Sequence, residues 1–251
     1  MQHTLKKEKP SLVIPREHGV WAMFLAPFLL GVMLSDANLM HVLAGVGLLS
    51  GFIAINALLD LLRRPKNKQS VKRTIFLFGG AAGISLAYPL FQRWEAFWPM
   101  LLMGGFLLAP IWFIRHKCER HFLNDLIGIA GLTMLLPLSA GLGGGTAQQE
   151  IGAAMIGNML YFTGSIFFVK SVFREKNNIQ FHFLGITYHL MVVFLPFLLQ
   201  FSPAISLMFL PGLLKMAAAM RGIRLLPKTV GIIEIANVIW FLGWGGWIYL
   251  G

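Results

Sequence analysis

Long apolar runs without a charged residue dominate the chain, and short charged segments separate them. A bilayer core of roughly 30 Å needs about 20 helical residues, so each run of about that length predicts one membrane-spanning helix. Six runs fit this length directly: Gly19–Ser35, Ala37–Leu59, Thr74–Gln92, Ala96–Ile114, Leu126–Gln149 and Ile151–Val169.

A seventh run is too long for one crossing. Residues 177–214 carry no charge, and a single helix of that length would measure about 57 Å, nearly twice the membrane core. The run therefore predicts two helices, with a break at the polar and proline-containing segment 200–203. A last helix is predicted from about Lys228 to Leu250. The sequence thus predicts an all-α polytopic bundle of nine spans, with a basic tail over residues 1–18 and one transmembrane domain over residues 19–251.

The composition agrees with a membrane protein and excludes a soluble globule. Hydrophobic residues make up 57% of the 251 residues and charged residues 12%, and the mean hydropathy is +0.70, which leaves too little polar surface to cover a soluble fold. A net charge of +11 fits either nucleic acid or a membrane surface. The hydropathy decides for the membrane, so no nucleic-acid partner is expected. The single cysteine, Cys118, excludes internal disulfides.

Basic residues fall almost entirely on one side of the predicted spans. Of the 21 Lys and Arg residues, 20 precede the first span or lie in alternate loops, and only Arg93 lies on the other side. Lys and Arg accumulate in cytoplasmic loops of membrane proteins. The pattern predicts a protein of the cell membrane with a cytoplasmic N-terminus and an external C-terminus.

The segment 55–73 carries the first candidate site. Asn56, Asp60 and Arg64 are spaced four residues apart, so on a helix they line one face. Asn56 and Asp60 are our candidate catalytic residues and Arg64 a candidate substrate-binding residue. Alternatively, Asp60 forms an ordinary helical ion pair with Arg63 or Arg64.

Other candidates lie at the same end of the predicted bundle. Glu17 and His18, at the start of the first span, suit acid/base work or binding of a cation, although a carboxylate is favourable at any helix N-terminus. Arg115 and Lys117 belong to a polar cluster in segment 115–125. His and carboxylate pairs there have metal-ligand spacing but lack the remaining ligands, so no metal site is predicted. Solvated loop charges are the alternative.

The sixth span ends with two cations four residues apart, Lys170 and Arg174. Two cations on one helix face suit a phosphate or carboxylate ligand, whereas a lysine that only reaches towards the interface is the alternative. Glu234 lies about two turns inside the last span. Pairing with Arg221 or Arg224 is the simplest prediction for it, followed by a proton or ligand role.

Several of these segments resemble one bacterial family. The motifs PREHGVWAMFLAP, RHKCERHFLND and YFTGSIFFVKSVFREK, together with residues 56–64, resemble the YwiC-like membrane proteins. The resemblance spans essentially the whole chain. It implies a multi-pass membrane protein and no particular activity.

A more distant resemblance is to the UbiA-type intramembrane prenyltransferases, in helix number and in the position of the polar loops. It implies a UbiA-like bundle with two Asp-rich motifs that hold Mg²⁺ against a prenyl diphosphate. Asn56 and Asp60 match part of the first motif, but Arg64 stands at its last aspartate. Lys170 and Arg174 stand where carboxylates of the second motif are expected. Mg²⁺ is therefore a doubtful cofactor.

Two functional hypotheses follow from the sequence. In the first, the protein binds an amphipathic anion, such as a prenyl diphosphate or a membrane lipid, in a cytoplasm-facing polar cavity, as a degenerate prenyltransferase or a non-catalytic binder. In the second, it is a transporter or an accessory membrane protein, for which polar residues spread through the bilayer and an inverted repeat are typical. The one-sided clustering of polar residues favours the first.

Overall fold

The computed structural model describes residues 12–15, 18–63, 68–145, 148–223 and 225–250, and within them it contains ten α-helices, one short 3₁₀ turn and no strand. The helices are α1 His18–Met33, α2 Leu39–Arg63, α3 Lys68–Gln92, α4 Pro99–Arg115, α5 Phe122–Thr133, α6 Leu135–Leu142, α7 Gln148–Phe173, α8 Ile179–Leu198, α9 Pro203–Met220 and α10 Pro227–Leu250.

The ten helices of the described chain form eight candidate membrane spans and one shorter apolar helix, α1. The eight spans are at least 18 residues long and apolar enough to cross a membrane. α5 and α6 share one span, Phe122–Leu142. Pro137 explains their separation, because it has no amide proton to donate to the carbonyl four residues earlier, at Thr133. The predicted all-α polytopic membrane bundle is confirmed.

The long uncharged run breaks where the polar segment predicted. α8 ends at Leu198 and α9 begins at Pro203. Ser202 caps α9, since its side chain accepts a hydrogen bond from the amide of Ala204 at 3.3 Å, and proline suits the first helical position. The end of α9 differs from the prediction, because the helix continues past Leu214 through Lys215 to Met220.

Helix α1 lies at the centre of the packing and contacts α5, α6 and α10. Its side chains Phe24 and Leu30 are buried in the two largest apolar clusters. By contrast, α3 packs chiefly on α2 and leaves Phe76 and Ile84 more than 80% exposed. Large apolar side chains on the outer surface are what lipid contact requires.

Gly31 marks a close approach between α1 and α6. A Cβ atom built there would overlap the carbonyl oxygen of Leu136 and lie 2.7 Å from the Cβ of Ser139. Small residues permit such close backbone approach between membrane helices.

We expect Gly31→Ala to lower the thermal stability of the purified protein by about 1–3 kcal/mol, because backbone atoms cannot move aside as a flexible side chain can. Gly80→Ala is the matched control. A Cβ at Gly80, on the outer helix α3, meets nothing within 4 Å, so this change should be neutral or raise stability by up to about 1 kcal/mol. Unfolding in detergent, followed by size-exclusion chromatography after heating, measures both. Equal midpoints for the two variants would contradict the close packing at Gly31.

Candidate functional site

One end of the bundle carries the charged loops, and we call it the basic end: α2, α4, α7 and α9 end there and α3, α5, α8 and α10 begin there. Residues 116–121 connect α4 to α5 at this end. Arg63, at the end of α2, donates from Nε to Oε2 of Glu119 in this loop at 2.5 Å, and both side chains are about one-third exposed. The α4–α5 loop is therefore tied to α2.

The same loop is tied to α7 through Lys170. Its ammonium lies 2.8 Å from the Asp125 carboxylate and donates to the carbonyl oxygen of Arg120 at 2.6 Å. The Lys170 side chain is 8% exposed. The alternative that Lys170 only reaches towards the interface is therefore wrong, because the partly exposed Asp125 carboxylate and the Arg120 carbonyl hold the ammonium inside the bundle. Arg174, just beyond α7, is exposed as expected.

Asn56 and Asp60 lie on α2 below this loop, and both are half-buried. The Asn56 amide donates to the carbonyl oxygen of Phe52 in its own helix at 2.9 Å. Arg63 pairs with Glu119 and not with Asp60, so that part of the predicted helical ion pair is wrong. The reason is that the α4–α5 loop brings a carboxylate into reach from another part of the chain.

Arg115 and Lys117 are exposed where α4 ends. The amide of Lys117 donates to Ile114 and that of Cys118 to Phe113, the hydrogen-bond pattern of a Schellman motif. Lys117 stands at its left-handed position, with φ 57°, where glycine is the usual residue. A lysine there costs about 1 kcal/mol of strain. Stability of the fold alone would therefore favour glycine at this position, and the chain has a charged residue instead.

Three further candidates are not placed by the structure. Glu17 and Arg64 lie outside the described residues, and His18 begins α1 but its side chain is not described. Their proposed roles stay predictions. Among the described residues, no group of three or more His, Cys, Asp or Glu side chains is placed to hold a metal ion. The described side chains therefore do not fit the Mg²⁺ site that the UbiA resemblance implies.

A second charged site lies deeper in the bundle. Lys215 of α9 donates from Nζ to Oε1 of Glu234 on α10 at 2.5 Å and to Oγ of Ser165 on α7 at 3.2 Å. The two charged side chains are 6% and 10% exposed. Glu234 was expected to pair with a loop arginine. Its partner Lys215 is instead a helical residue, about 7.5 Å from the end of α9 at 1.5 Å per residue.

Sequence reasoning missed Lys215 and Asp125 as partners. In the sequence, both residues lie at the end of an apolar run. Ordinary charged loop residues occupy the same position, so the sequence does not distinguish the two cases. A signal was nevertheless present, because Glu234 is ionisable and lies two turns inside a span. Such a residue needs a partner within the membrane.

Apolar spans through the whole described chain, charged residues gathered at one end and a buried ion pair define an α-helical polytopic membrane protein. The chain belongs to the YwiC-like family. The family model described as "YwiC-like protein" matches residues 14–140.

Two relatives extend over nearly the full length. A Bacillus subtilis protein described as "Uncharacterized protein YwiC" is 32% identical over 230 residues, which cover 92% of this chain and 95% of the relative. A Haemophilus influenzae protein is 29% identical over 230 residues, covering 90% of this chain and 93% of the relative. No solved structure matches the chain.

Proposed function

We propose that the protein binds an anionic amphiphile, either a lipid headgroup or a prenyl diphosphate, at its basic end. One observation carries this proposal. Glu119, in the loop between α4 and α5, and Asp125, in the first turn of α5, are already paired with Arg63 and Lys170. Arg115, Lys117 and Arg174 remain exposed, and none of them forms an ion pair with another described residue.

The arrangement suits an anion at the membrane surface because the loop that carries Lys117 is held in place. The loop that carries Lys117 is fixed to α2 by Glu119 and to α7 by Lys170. A loop fixed in this way presents its cation to a phosphate group with less loss of backbone freedom. Each basic residue near an anionic lipid surface contributes about 1 kcal/mol of attraction. The strain at Lys117 supports the same role.

The remaining parts of the sequence prediction belong to the same proposal. In this proposal the basic end faces the cytoplasm of a cell-membrane protein, Asn56 and Asp60 lie on α2 near it, and the roles predicted for Arg64 and Glu17 stay predictions from the sequence. Cations hold the anion without Mg²⁺. A degenerate relative of the prenyltransferases is the class that this arrangement fits best, and non-catalytic lipid binding meets the same requirements.

A second candidate function, membrane transport, is favoured by one observation. The buried Lys215–Glu234 pair places two ionisable groups within membrane helices, where such residues commonly mark ion or substrate pathways.

Binding tests the first proposal directly. We expect farnesyl diphosphate in detergent and phosphatidylglycerol in nanodiscs to bind with an affinity that survives EDTA and falls as salt rises, because exposed charges are screened over about 8 Å at physiological ionic strength. Comparing these two arms distinguishes a soluble diphosphate from a lipid headgroup. Loss of binding in EDTA would contradict the cation-only site and return the protein to metal-dependent chemistry.

Charge variants locate the site. Lys117→Gly should weaken binding about fivefold, the equivalent of about 1 kcal/mol, while keeping or raising stability because glycine relieves the strain at φ 57°. Arg174→Glu should weaken it further. Arg93→Glu is the control, since Arg93 is a partly exposed cation at the opposite end, next to Glu95. Equal loss of affinity in all three variants would show only a general charge effect.

A further inference from the structure

Two buried polar groups inside the bundle lack a hydrogen-bond partner. His189 on α8 donates from Nδ1 to the carbonyl oxygen of Gly185 at 2.8 Å, so Nε2 carries the lone pair of the neutral ring. Neither this nitrogen nor the hydroxyl of Tyr161 on α7 has a hydrogen-bond partner among the described residues. The two side chains are only 5% and 6% exposed. Buried polar atoms without a partner are rare, so both groups need an explanation.

The nearby ammonium group of Lys215 has one N–H group that makes no hydrogen bond. Its Nζ donates to Oε1 of Glu234 at 2.5 Å and to Oγ of Ser165 at 3.2 Å, and the described chain supplies no third acceptor. An ammonium group carries three N–H donors, and a donor left unused in apolar surroundings costs stability. The site therefore offers one acceptor, on His189, and two donors, on Tyr161 and Lys215.

The side chains of Tyr161, His189 and Lys215 line one small cavity between α7, α8 and α9. The cavity leaves about 10 Å³ for the centre of a water-sized molecule, which is about what a single water requires. Gly164 of α7 keeps space open beside the imidazole, since a Cβ atom there would lie 2.8 Å from His189 Nε2. The cavity is too small for a lipid headgroup or an organic substrate.

The groups around the cavity suit a water molecule better than an ion of similar size. A cation would meet the Lys215 ammonium, and no carboxylate belongs to the described residues that line the cavity. An anion would face the lone pair of His189 Nε2, and the charge of Lys215 is already balanced by Glu234. Water both accepts and donates, so one molecule can accept from Tyr161 and Lys215 while it donates to His189.

We propose that one water molecule, bound in this cavity, is a permanent part of the fold and joins α7, α8 and α9. It accepts hydrogen bonds from the Tyr161 hydroxyl and the Lys215 ammonium and donates one to His189 Nε2. The water satisfies both buried groups and gives the ammonium its third partner, which lowers the cost of keeping the ion pair with Glu234 away from bulk water. It also links the pair to α8, a helix to which neither charged side chain bonds directly.

X-ray footprinting of the unmodified protein in nanodiscs tests the proposal. X-rays split water into hydroxyl radicals, which react with the nearest side chains before they diffuse away, so a side chain buried in the bundle is labelled only when a water lies beside it. After correction for the reactivity of each residue type, we expect mass spectrometry to find several-fold more oxidation at Tyr161 and His189 than at Phe24. Phe24 is the control because it is an aromatic side chain, 2% exposed, in an apolar cluster. Equal labelling at the three positions would overturn the proposal.

The direction of a stability change provides a second, independent measurement. If the water is bound, Tyr161→Phe removes one of its partners, and we expect the unfolding midpoint in detergent to fall by about 2–4 °C, as for the loss of one ordinary hydrogen bond in a chain of this length. In a dry cavity the same change would remove an unsatisfied hydroxyl, and the midpoint would rise or stay the same.

Tyr188→Phe is the matched control for this measurement. The Tyr188 hydroxyl donates directly to the carbonyl oxygen of Leu160 at 2.9 Å, so its loss should lower the midpoint whether or not the cavity holds water. We expect the two phenylalanine variants to lose stability by similar amounts. A midpoint for Tyr161→Phe at or above that of the unmodified protein would count against the bound water as firmly as equal labelling.

Discussion

Replacing Lys215 by methionine is expected to cost about 3–5 kcal/mol of stability, the largest effect we predict for a single substitution. The reason is that Glu234 would be left charged and buried without a partner, and removing one member of a buried ion pair has a cost of this size. In a protein of this length the change corresponds to a fall of roughly 10 °C in the unfolding midpoint. Thermal unfolding in detergent measures it.

The double variant Lys215→Met, Glu234→Met separates the effect of losing the ion pair from the effect of leaving one charged side chain without its partner. Two apolar side chains of similar volume remove both desolvation costs, so most of the lost stability should return. Lys228→Met is the matched control, because Lys228 is an exposed lysine at the start of α10 and its loss should change stability by less than about 0.5 kcal/mol. A double variant as unstable as Lys215→Met alone would show that the lysine acts through packing and not through Glu234.

The fold was predictable because the bilayer imposes a simple rule on sequence. Every span must satisfy its own backbone and present apolar side chains to lipid, so helix number and break points follow from run length alone. The break before Pro203 is an example. Helix ends were less predictable. Charged residues such as Lys68 and Lys72 begin α3, and a count of uncharged residues cannot place them inside a helix.

The site was only partly predictable, because ion pairs join residues that are distant in sequence. Arg63 and Glu119 are 56 residues apart, and Lys170 and Arg120 are 50 apart. The sequence correctly predicted that Arg63, Lys170 and segment 115–125 lie at the same end of the bundle. It could not predict that Lys170 is neutralised by Asp125 while Arg174 stays exposed. That difference decides which cation is available to a ligand.

Membrane orientation is the other prediction with a very large effect, since a reporter is either active or inactive. Two of the twenty basic residues on one side, Lys170 and Lys215, prove to be buried within helices, where they add little to loop charge. The remaining eighteen still oppose Arg93 alone. With α1 counted as a ninth span beside the eight longer ones of the described chain, the positive-inside rule predicts a cytoplasmic basic end and an external C-terminus.

We therefore expect a C-terminal alkaline phosphatase fusion, which folds only outside the cytoplasm, to be active in a bacterial host, and a C-terminal green fluorescent protein fusion to be dark. The reciprocal fusions placed at residue 175, in the loop between α7 and α8, provide the matched control and should give the opposite result, because that loop lies at the basic end. A fluorescent C-terminal fusion would mean that one span does not cross the membrane. The first to re-examine would be α1, the shortest span at 16 residues, about 24 Å long at 1.5 Å per residue and so shorter than the hydrocarbon core.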